Sequence, residues 1–401
     1  MPRPLFAATC AAILLLPRGP AGAQRPVTRA DAIAAALARG PRLAIAAADT
    51  SAARAVLIGA RAYANPTLTA SFTKDAPQRH VLADLPLDFP WLRRARIGSA
   101  MSLHDAALDQ FALQRAAVTF DAETTYVNAV VADAHARLSR RNADDADSLL
   151  HMARSRRDAG DASDLDVELA SIFAGQQTNQ ALADSLAAVA SLLDLQAVMG
   201  DSGRAPAISL ADTLTLVDTA PPAATGPPLA VRAAASTVEA ADRALQAEHR
   251  SNWGSASLQL GFDEHDPTQS GLLPVIGIAL PIPLFNQNQS GVAAAQAQRD
   301  RARAELKLIR LESARDIARV TQALAIALER VARDRALLQS ANRVVAMSLT
   351  AYREGAATLA SVLQAQSNAR TTLGQYIDDV GAANGAAAAL RLLTASAPRT
   401  P

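Results

Sequence analysis

The chain is poor in the residues that usually build a catalytic or nucleic-acid-binding protein. One cysteine is present among 401 residues, and aromatic residues make up 3% of the total. The single cysteine, Cys10, lies inside an N-terminal stretch that reads as a secretory signal peptide over residues 1–23. Arg3 supplies its positive start, Leu5 to Leu16 its apolar stretch, and Ala21-Gly22-Ala23 a small-residue cleavage site. The exported chain then has no thiol, which excludes a disulfide framework and any cysteine metal site. Cleavage also removes Arg3 and Arg18 and no acid, leaving 37 cationic side chains against 38 acids, a net charge of −1. A near-neutral chain is a poor partner for nucleic acid.

Other absences narrow the class further. No later apolar run reaches 18 residues, so no membrane-spanning helix is expected. The six histidines show no paired ligand spacing. There is no phosphate-cradling glycine loop and no nucleophile elbow. Asp263-Glu264-His265-Asp266 is open to two readings, a cation site or a solvated hairpin loop, and the flanking alternation favours the loop. No catalytic residue, cofactor or resident metal is expected, and the chain does not read as an enzyme.

The most informative absence is proline. It is missing from 91–205 and again from 284–397, tracts of 115 and 114 residues. Proline breaks helices at a cost of about 3 kcal/mol, so these tracts point to very long helices. Apolar residues recur there at three-four spacing: Val127, Val130, Ala134 and Leu138, then Ile317, Val320, Leu324, Ala327, Val331 and Leu338. Arg93 to Ala159 alone would span about 100 Å at ~1.5 Å per residue. Gly160 and Gly355 sit where such helices could reverse, with Ser163 and Thr358 placed to cap the returning arms. The alternative is a glycine tolerated inside one continuous helix.

The chain repeats itself at an offset of 195. Leu85-Pro86-Leu87 maps onto Leu280-Pro281-Ile282, and Gly160-Asp161-Ala162-Ser163 onto Gly355-Ala356-Ala357-Thr358, with Val167 onto Val362. The expected organisation is a first repeat over 24–225 and a second over 226–401, joined at a proline-rich linker, Pro221-Pro222 to Gly226-Pro227-Pro228. The first comprises a helix, a β-hairpin at 65–89 and a long helical hairpin at 92–200. The second comprises a helix, a β-hairpin at 252–285 and a long helical hairpin at 290–393.

The hairpins are read from period two. Pro66–Thr73 alternates Leu68, Ala70 and Phe72 with threonine and serine. Val81–Phe89 places Leu85 and Leu87 opposite His80, Asp84 and Asp88. Gly254–Phe262 alternates Leu258 and Leu260 with polar residues, and Leu272–Leu284 alternates Ile276, Ile278 and Leu280 with small ones. Such strands suit either a small soluble sheet or a transmembrane barrel, and the signal peptide and lack of disulfides favour the barrel. The nine residues Leu68, Phe72, Leu85, Leu87, Leu258, Leu260, Ile276, Ile278 and Leu280 are then the expected lipid-facing set. Trp91 and Trp253 near strand ends fit an aromatic girdle. Arg93-Arg94-x-Arg96 reads as a basic collar at the interface or simply as a charged helix start. Four strands cannot close a barrel, so copies must combine. Two copies give eight strands and a filled interior, and three give twelve and a passage.

"LPIPLFNQNQSGVAAAQAQRDRARAEL", "YREGAATLASVLQAQSNAR" and "RDAGDASDLDVELA", on this duplicated plan, resemble the TolC-like outer-membrane efflux protein family across nearly all of the exported chain. "PLFNQNQSG" is most similar to its heavy-metal cation branch. The resemblance implies a mixed α/β, mostly α homotrimer. A twelve-stranded outer-membrane barrel would continue into a long α-helical coiled-coil periplasmic tunnel. It implies a passive export duct for heavy-metal cations or drugs, with a periplasmic adaptor and a proton-driven inner-membrane pump as partners. Leu272–Phe285 would be a barrel strand leaving the lipid. Gly160, Ser163, Gly355 and Thr358 would form the adaptor-docking tips. Where family members carry acids beyond the second tip, this chain has Ser361 and Gln364, and its acids are Asp164, Asp166 and Glu168 at the first. Asp164 and Asp166 are therefore the expected aperture residues. The alternatives are a periplasmic coiled-coil adaptor or a structural coiled-coil protein.

Overall fold

A computed structural model describes residues 25–203, 205–216, 226–251, 256–264, 266 and 271–396. The expected signal peptide, the Pro221-Pro222 part of the linker, Trp253 and His265 lie outside them. In chain order the elements are β1 (Arg25–Val27), α1 (Arg29–Arg39), α2 (Pro41–Arg61), β2 (Thr67–Phe72), β3 (Arg79–Pro86), α3 (Pro90–Asp158) and α4 (Asp164–Val198). They continue with β4 (Ile208–Leu210), α5 (Leu229–Arg250), β5 (Ser257–Glu264), β6 (Leu273–Ala279), α6 (Gln289–Arg353) and α7 (Leu359–Thr394).

The proline-free tracts form two helical hairpins. α3 has 69 residues and α6 has 65, each near 100 Å at ~1.5 Å per residue. α3 is the central rod, packed against α1, α2, α4, α5 and α7, whereas α6 runs along α7 and α5 and meets α3 only near its end at Tyr352. Alanine at the contacts lets the rods approach closely: Ala122, Ala129, Ala136, Ala146 and Ala153 of α3 are fully buried.

The start of α3 is electrostatically awkward, because arginines sit at the positive end of a helix dipole. The conflict is resolved locally. Arg93 donates to the Arg61 carbonyl at 2.8 Å and Arg96 to the Ala60 carbonyl at 3.0 Å, so both cap the end of α2. Asp88 accepts from Arg96 at 2.7 Å. Phe89 and Trp91 stack beside them, ring centres 4.6 Å apart.

Four strands form one antiparallel sheet in the order β2-β3-β5-β6. Two expected strands end early. β6 stops at Ala279, not Leu284, because Pro281 and Pro283 have no amide to donate to a ladder. β3 stops at Pro86, although the Leu87 amide still donates to the Ala256 carbonyl at 2.7 Å. Leu87 and Leu280, both expected on strands, therefore lie just beyond them. The strand β6 does not run to Phe285; residues 280–288 are irregular before α6 begins at Gln289. There Asn288 adopts a left-handed conformation (φ 58°) and its amide donates to Glu248 Oε2 at 2.6 Å, tying α6 to the end of α5.

A second, two-stranded sheet was not anticipated. β1 and β4 pair in parallel, Arg25 opposite Ile208. Three-residue strands are too short to carry a period. They close over a core of Val27, Tyr126, Val130, Leu195, Met199 and Ile208 beside α3 and α4. Tyr126 anchors it, its hydroxyl 2.8 Å from Asp212 Oδ2 and 3.0 Å from the Val27 carbonyl.

Two helices among the described residues, α2 and α4, are long and apolar enough to cross a bilayer by length and composition. The expectation of none rested on uninterrupted apolar runs, and alanine-rich helices with scattered serine and glutamine reach a high mean hydropathy without one. Each is also an arm packed along α3.

Candidate functional site

The sheet has two chemically distinct faces, fixed by register. Leu68 pairs with Ala83, Ala83 with Leu260 and Leu260 with Ile276. Ala70, Val81, Phe262 and Pro274 form the next row, and Leu85, Leu258 and Ile278 the row on the other side. Directly opposed residues share a face, so Leu68, Phe72, Leu85, Leu258, Leu260, Ile276 and Ile278 gather on one side of the sheet. Leu68, Phe72, Leu260, Ile276 and Ile278 are exposed, Ile276 at 77%, while Leu85 and Leu258 are half-buried. Leu87 and Leu280 fall past the strand ends, Leu280 exposed. The apolar band stops at a cross-strand ion pair, Arg79 to Glu264 at 3.3 Å.

The opposite face carries Thr67, Thr69, Ser71, His80, Asp84, Gln259, Gly261, Asp263 and Gly277, interrupted by Leu82, Leu273 and Val275. His80 Nδ1 lies 2.8 Å from Asp263 Oδ1. Asp263 and Glu264 are thus engaged across the sheet. Among the described residues, no three His, Cys, Asp or Glu side chains gather as a metal site. β2 and β6 are the edges of the sheet, with no strand beyond either among the described residues.

At the far end of the rods, both hairpins turn at glycine. Gly160 has φ 84° and Gly355 φ 75°, the left-handed region in which a side chain is strained. The amide of Asp161 returns to the Arg156 carbonyl at 2.8 Å, and that of Ala356 to Ala351 at 2.8 Å. Ser163 and Thr358 then cap α4 and α7. The caps differ. Asp166 reaches back to Ser163, accepting from its amide at 3.1 Å and its hydroxyl at 2.9 Å, a reciprocal capping box. The second tip has Ser361 in that position and no acid. Asp164 is solvated, 3.9 Å from Arg157.

The two tips are joined. The Arg156 guanidinium stacks over the Tyr352 ring at 4.6 Å and donates to the Tyr352 carbonyl. Tyr352 is buried among Leu149, Leu150, Ala153, Val167, Leu359 and Val362, drawn from all four rods. Burial pushes its phenol above the ordinary tyrosine value; nearby Arg156 opposes this and Asp166 adds to it. No sequence signal pointed to Arg156 or Tyr352, since their relation exists only after both hairpins fold side by side.

A rod-and-sheet chain of this kind has known counterparts. Residues 229–396 match the family described as outer membrane efflux protein. No curated protein matches the chain. Among solved structures it is similar to the outer membrane protein VceC of Vibrio cholerae, with 18% identity, a TM-score of 0.74, and 91% of this chain and 95% of that chain covered. It is similar to the CmeC outer membrane channel of Campylobacter jejuni, with 14% identity, a TM-score of 0.77, and 91% and 85% covered. The open state of the MtrE outer membrane channel of Neisseria gonorrhoeae is a third, with 13% identity, a TM-score of 0.70, and 91% and 88% covered. At such identities these likenesses carry the fold, and the family match carries the second half of the chain. Residues 229–396 thus match the outer membrane efflux protein family, and the chain as a whole shares the fold of these outer membrane channels.

Proposed function

We propose that three copies of the chain share one pore wall, each giving four strands to a twelve-stranded barrel and two hairpins to a periplasmic tunnel. The observation that carries this is the sheet with one exposed apolar face, one polar face and two open edges. Lipid does not tolerate open edges, because unpaired backbone groups have no solvent partner there. Twelve strands, not eight, leave room for a passage lined by Thr67, Thr69, Ser71 and Gln259. The two halves of the chain then act as tandem repeats, each contributing a hairpin of strands and a hairpin of rods.

The protein works as a passive duct of an efflux system in the outer membrane, with no chemistry of its own. Its energy comes from an inner-membrane pump, proton-driven, reached through a periplasmic adaptor that docks on the tips around Gly160, Ser163, Gly355 and Thr358. The lumen face mixes hydroxyls and the Gln259 amide with Asp84 and the His80–Asp263 pair, and among the described residues no three ligating side chains gather there, which fits selection of heavy-metal cations or drugs by the pump. Asp164 and Asp166 give the aperture its negative charge, Asp164 more freely because Asp166 is held in its cap.

The exported chain has no cysteine, so paired substitutions test the assembly cleanly. Within one sheet Thr69 and Gly277 stand about 16 Å apart, three strand spacings of ~4.8 Å across and two residues along the strand, too far for a disulfide. Thr69→Cys with Gly277→Cys should cross-link subunits into trimers in outer-membrane fractions. A monodisperse single subunit in mild detergent, with both thiols free, overturns the shared wall. Single-channel conductance and cation block that stay unchanged in Asp164→Asn/Asp166→Asn would remove the aperture assignment.

A further inference from the structure

Two aspartates are buried in the seam between α6 and α7. Asp334 of α6 is 8% exposed and Asp379 of α7 is 4% exposed. A buried carboxylate is costly unless paired and hydrogen-bonded. Asp379 has one cation, Arg330, whose Nη2 lies 2.7 Å from Oδ1. Asp334 Oδ2 is sealed from water and has no donor. Asp334 sits one helical turn after Arg330 on the same face of α6, so its carboxyl and that of Asp379 face each other across the seam. Both ionised, they are acceptors only, two negative charges around one guanidinium. A proton on either turns the repulsion into an O–H···O⁻ bond, among the stronger kinds.

The surroundings leave little else to neutralise them. Arg330 and Asp334 face Asp379 from α6, and Asp378 from its own helix. From α3, His135 Nε2 lies 2.7 Å from Asp378 Oδ1 and so is committed to that neighbour. Val331, Val380 and Ala383 are buried around the pair. It lies twenty residues beyond the start of α7, about 30 Å from the tip at ~1.5 Å per residue, well away from Asp164 and Asp166.

We propose that Asp334 and Asp379 hold one proton between them and act as a pH-operated latch on the α6–α7 seam. With the proton in place the carboxyls tie the two rods together. Without it they repel, and the seam loosens while α3 and α4 stay packed. Burial first, then the bond that the protonated Asp379 carboxyl donates to Asp334, lifts Asp379 above its ordinary 3.8, against the pull of Arg330. An acid raised on folding stabilises fully below its unfolded value and loses that contribution as pH climbs through the folded one. Seam stability therefore falls as pH rises above about 4. The latch needs only one folded chain and does not depend on the number of copies in the channel.

Amide exchange on the detergent-purified full chain, corrected for intrinsic exchange and followed from acid to mildly alkaline pH, reads the latch directly. Peptides covering 324–335 and 377–388 should lose protection as pH rises, while α3–α4 peptides stay flat. Asp334→Asn keeps the shape and donates a bond that does not titrate, so its seam should stay protected at every pH. Asp379→Asn gives the same readout should the first variant accumulate poorly. Arg330→Gln removes the one cation paired with Asp379 among the described residues and should move the midpoint upward by about one pH unit, a shift that a merely structural arginine would not produce. An unchanged slope in the asparagine variants, or a fixed midpoint in Arg330→Gln, overturns the proposal.

Discussion

α3 and α6 are nearly the same length, and each follows a pair of strands and precedes a shorter return helix, yet one is a core element and the other a surface. α3 buries fifteen of its 69 residues, including Val118, Tyr126, Leu149 and Leu150, and α6 seven of its 65. Leu308, Leu311, Ile326, Leu337, Val344 and Met347 of α6 are exposed. Length is set by the absence of proline and is the same in both. Burial is set by neighbours, and α3 has five packed helices against it where α6 has two. A rod whose own chain covers only one side keeps apolar residues on the other only if something else covers it, which is what a neighbouring subunit would do.

The contrast is broken most severely in the tip core. Leu149→Ala, from a fully buried α3 site, should lose about 2–5 kcal/mol. Leu311→Ala on α6, 63% exposed, should stay within about 0.5 kcal/mol for a single subunit. Thermal unfolding of subunits separated by a harsher detergent reads both. A large loss from Leu311→Ala in monomer would mean that α6 is covered by its own chain.

Next in size are the turns. Alanine at Gly160 or Gly355 must adopt a left-handed conformation, at a cost of roughly 1–2 kcal/mol each. Equal losses would confirm that the hairpins reverse by the same device in spite of their different burial.

Much of this was legible in the sequence for a reason particular to rods. Proline-free length, Gly-x-x-Ser/Thr spacing and period-two alternation are local signals, and they gave the four long helices, both reversals and the sheet with its seven-residue apolar face. What escaped was mostly non-local. Pairing of β1 with β4 brings together residues 183 apart in chain order, Arg25 and Ile208, with no pattern of their own. Arg156 and Tyr352, and Asp334 and Asp379, meet only through tertiary packing. The strand ends were misplaced because Pro281 and Pro283 alternate like a strand but cannot bond like one. Asp166 is a different miss: Ser163-x-x-Asp166 is a capping-box spacing, and its cap was readable beside the aperture role.

That cap gives a smaller, sharper contrast between the hairpins. Ser163→Ala and Thr358→Ala should each lose about 1 kcal/mol. Asp166→Ala should add a loss of a few tenths of a kcal/mol at the first tip, whereas Ser361→Ala, with no box to break, should add less. Protection of the first-turn amides of α4 and α7 separates the cases.

The smallest expected effect tests whether the two regions are one structure. Arg156 belongs to the buried rod and Tyr352 to the exposed one, and their stacking is the polar contact among those that cross between the tips. A cation over a ring contributes about 0.5–1 kcal/mol near the surface. Arg156→Gln should therefore lower stability by about that much and loosen amides near Tyr352 more than those near Arg156, because α3 has other partners at that level and the end of α6 has few. Arg156→Lys should recover part of the loss, since a lysine keeps the charge but not the planar stack. Exchange that loosens equally at both tips would mean that α6 leans on α3 through the whole buried cluster around Leu149 and Val362, and that the arginine is incidental to the join.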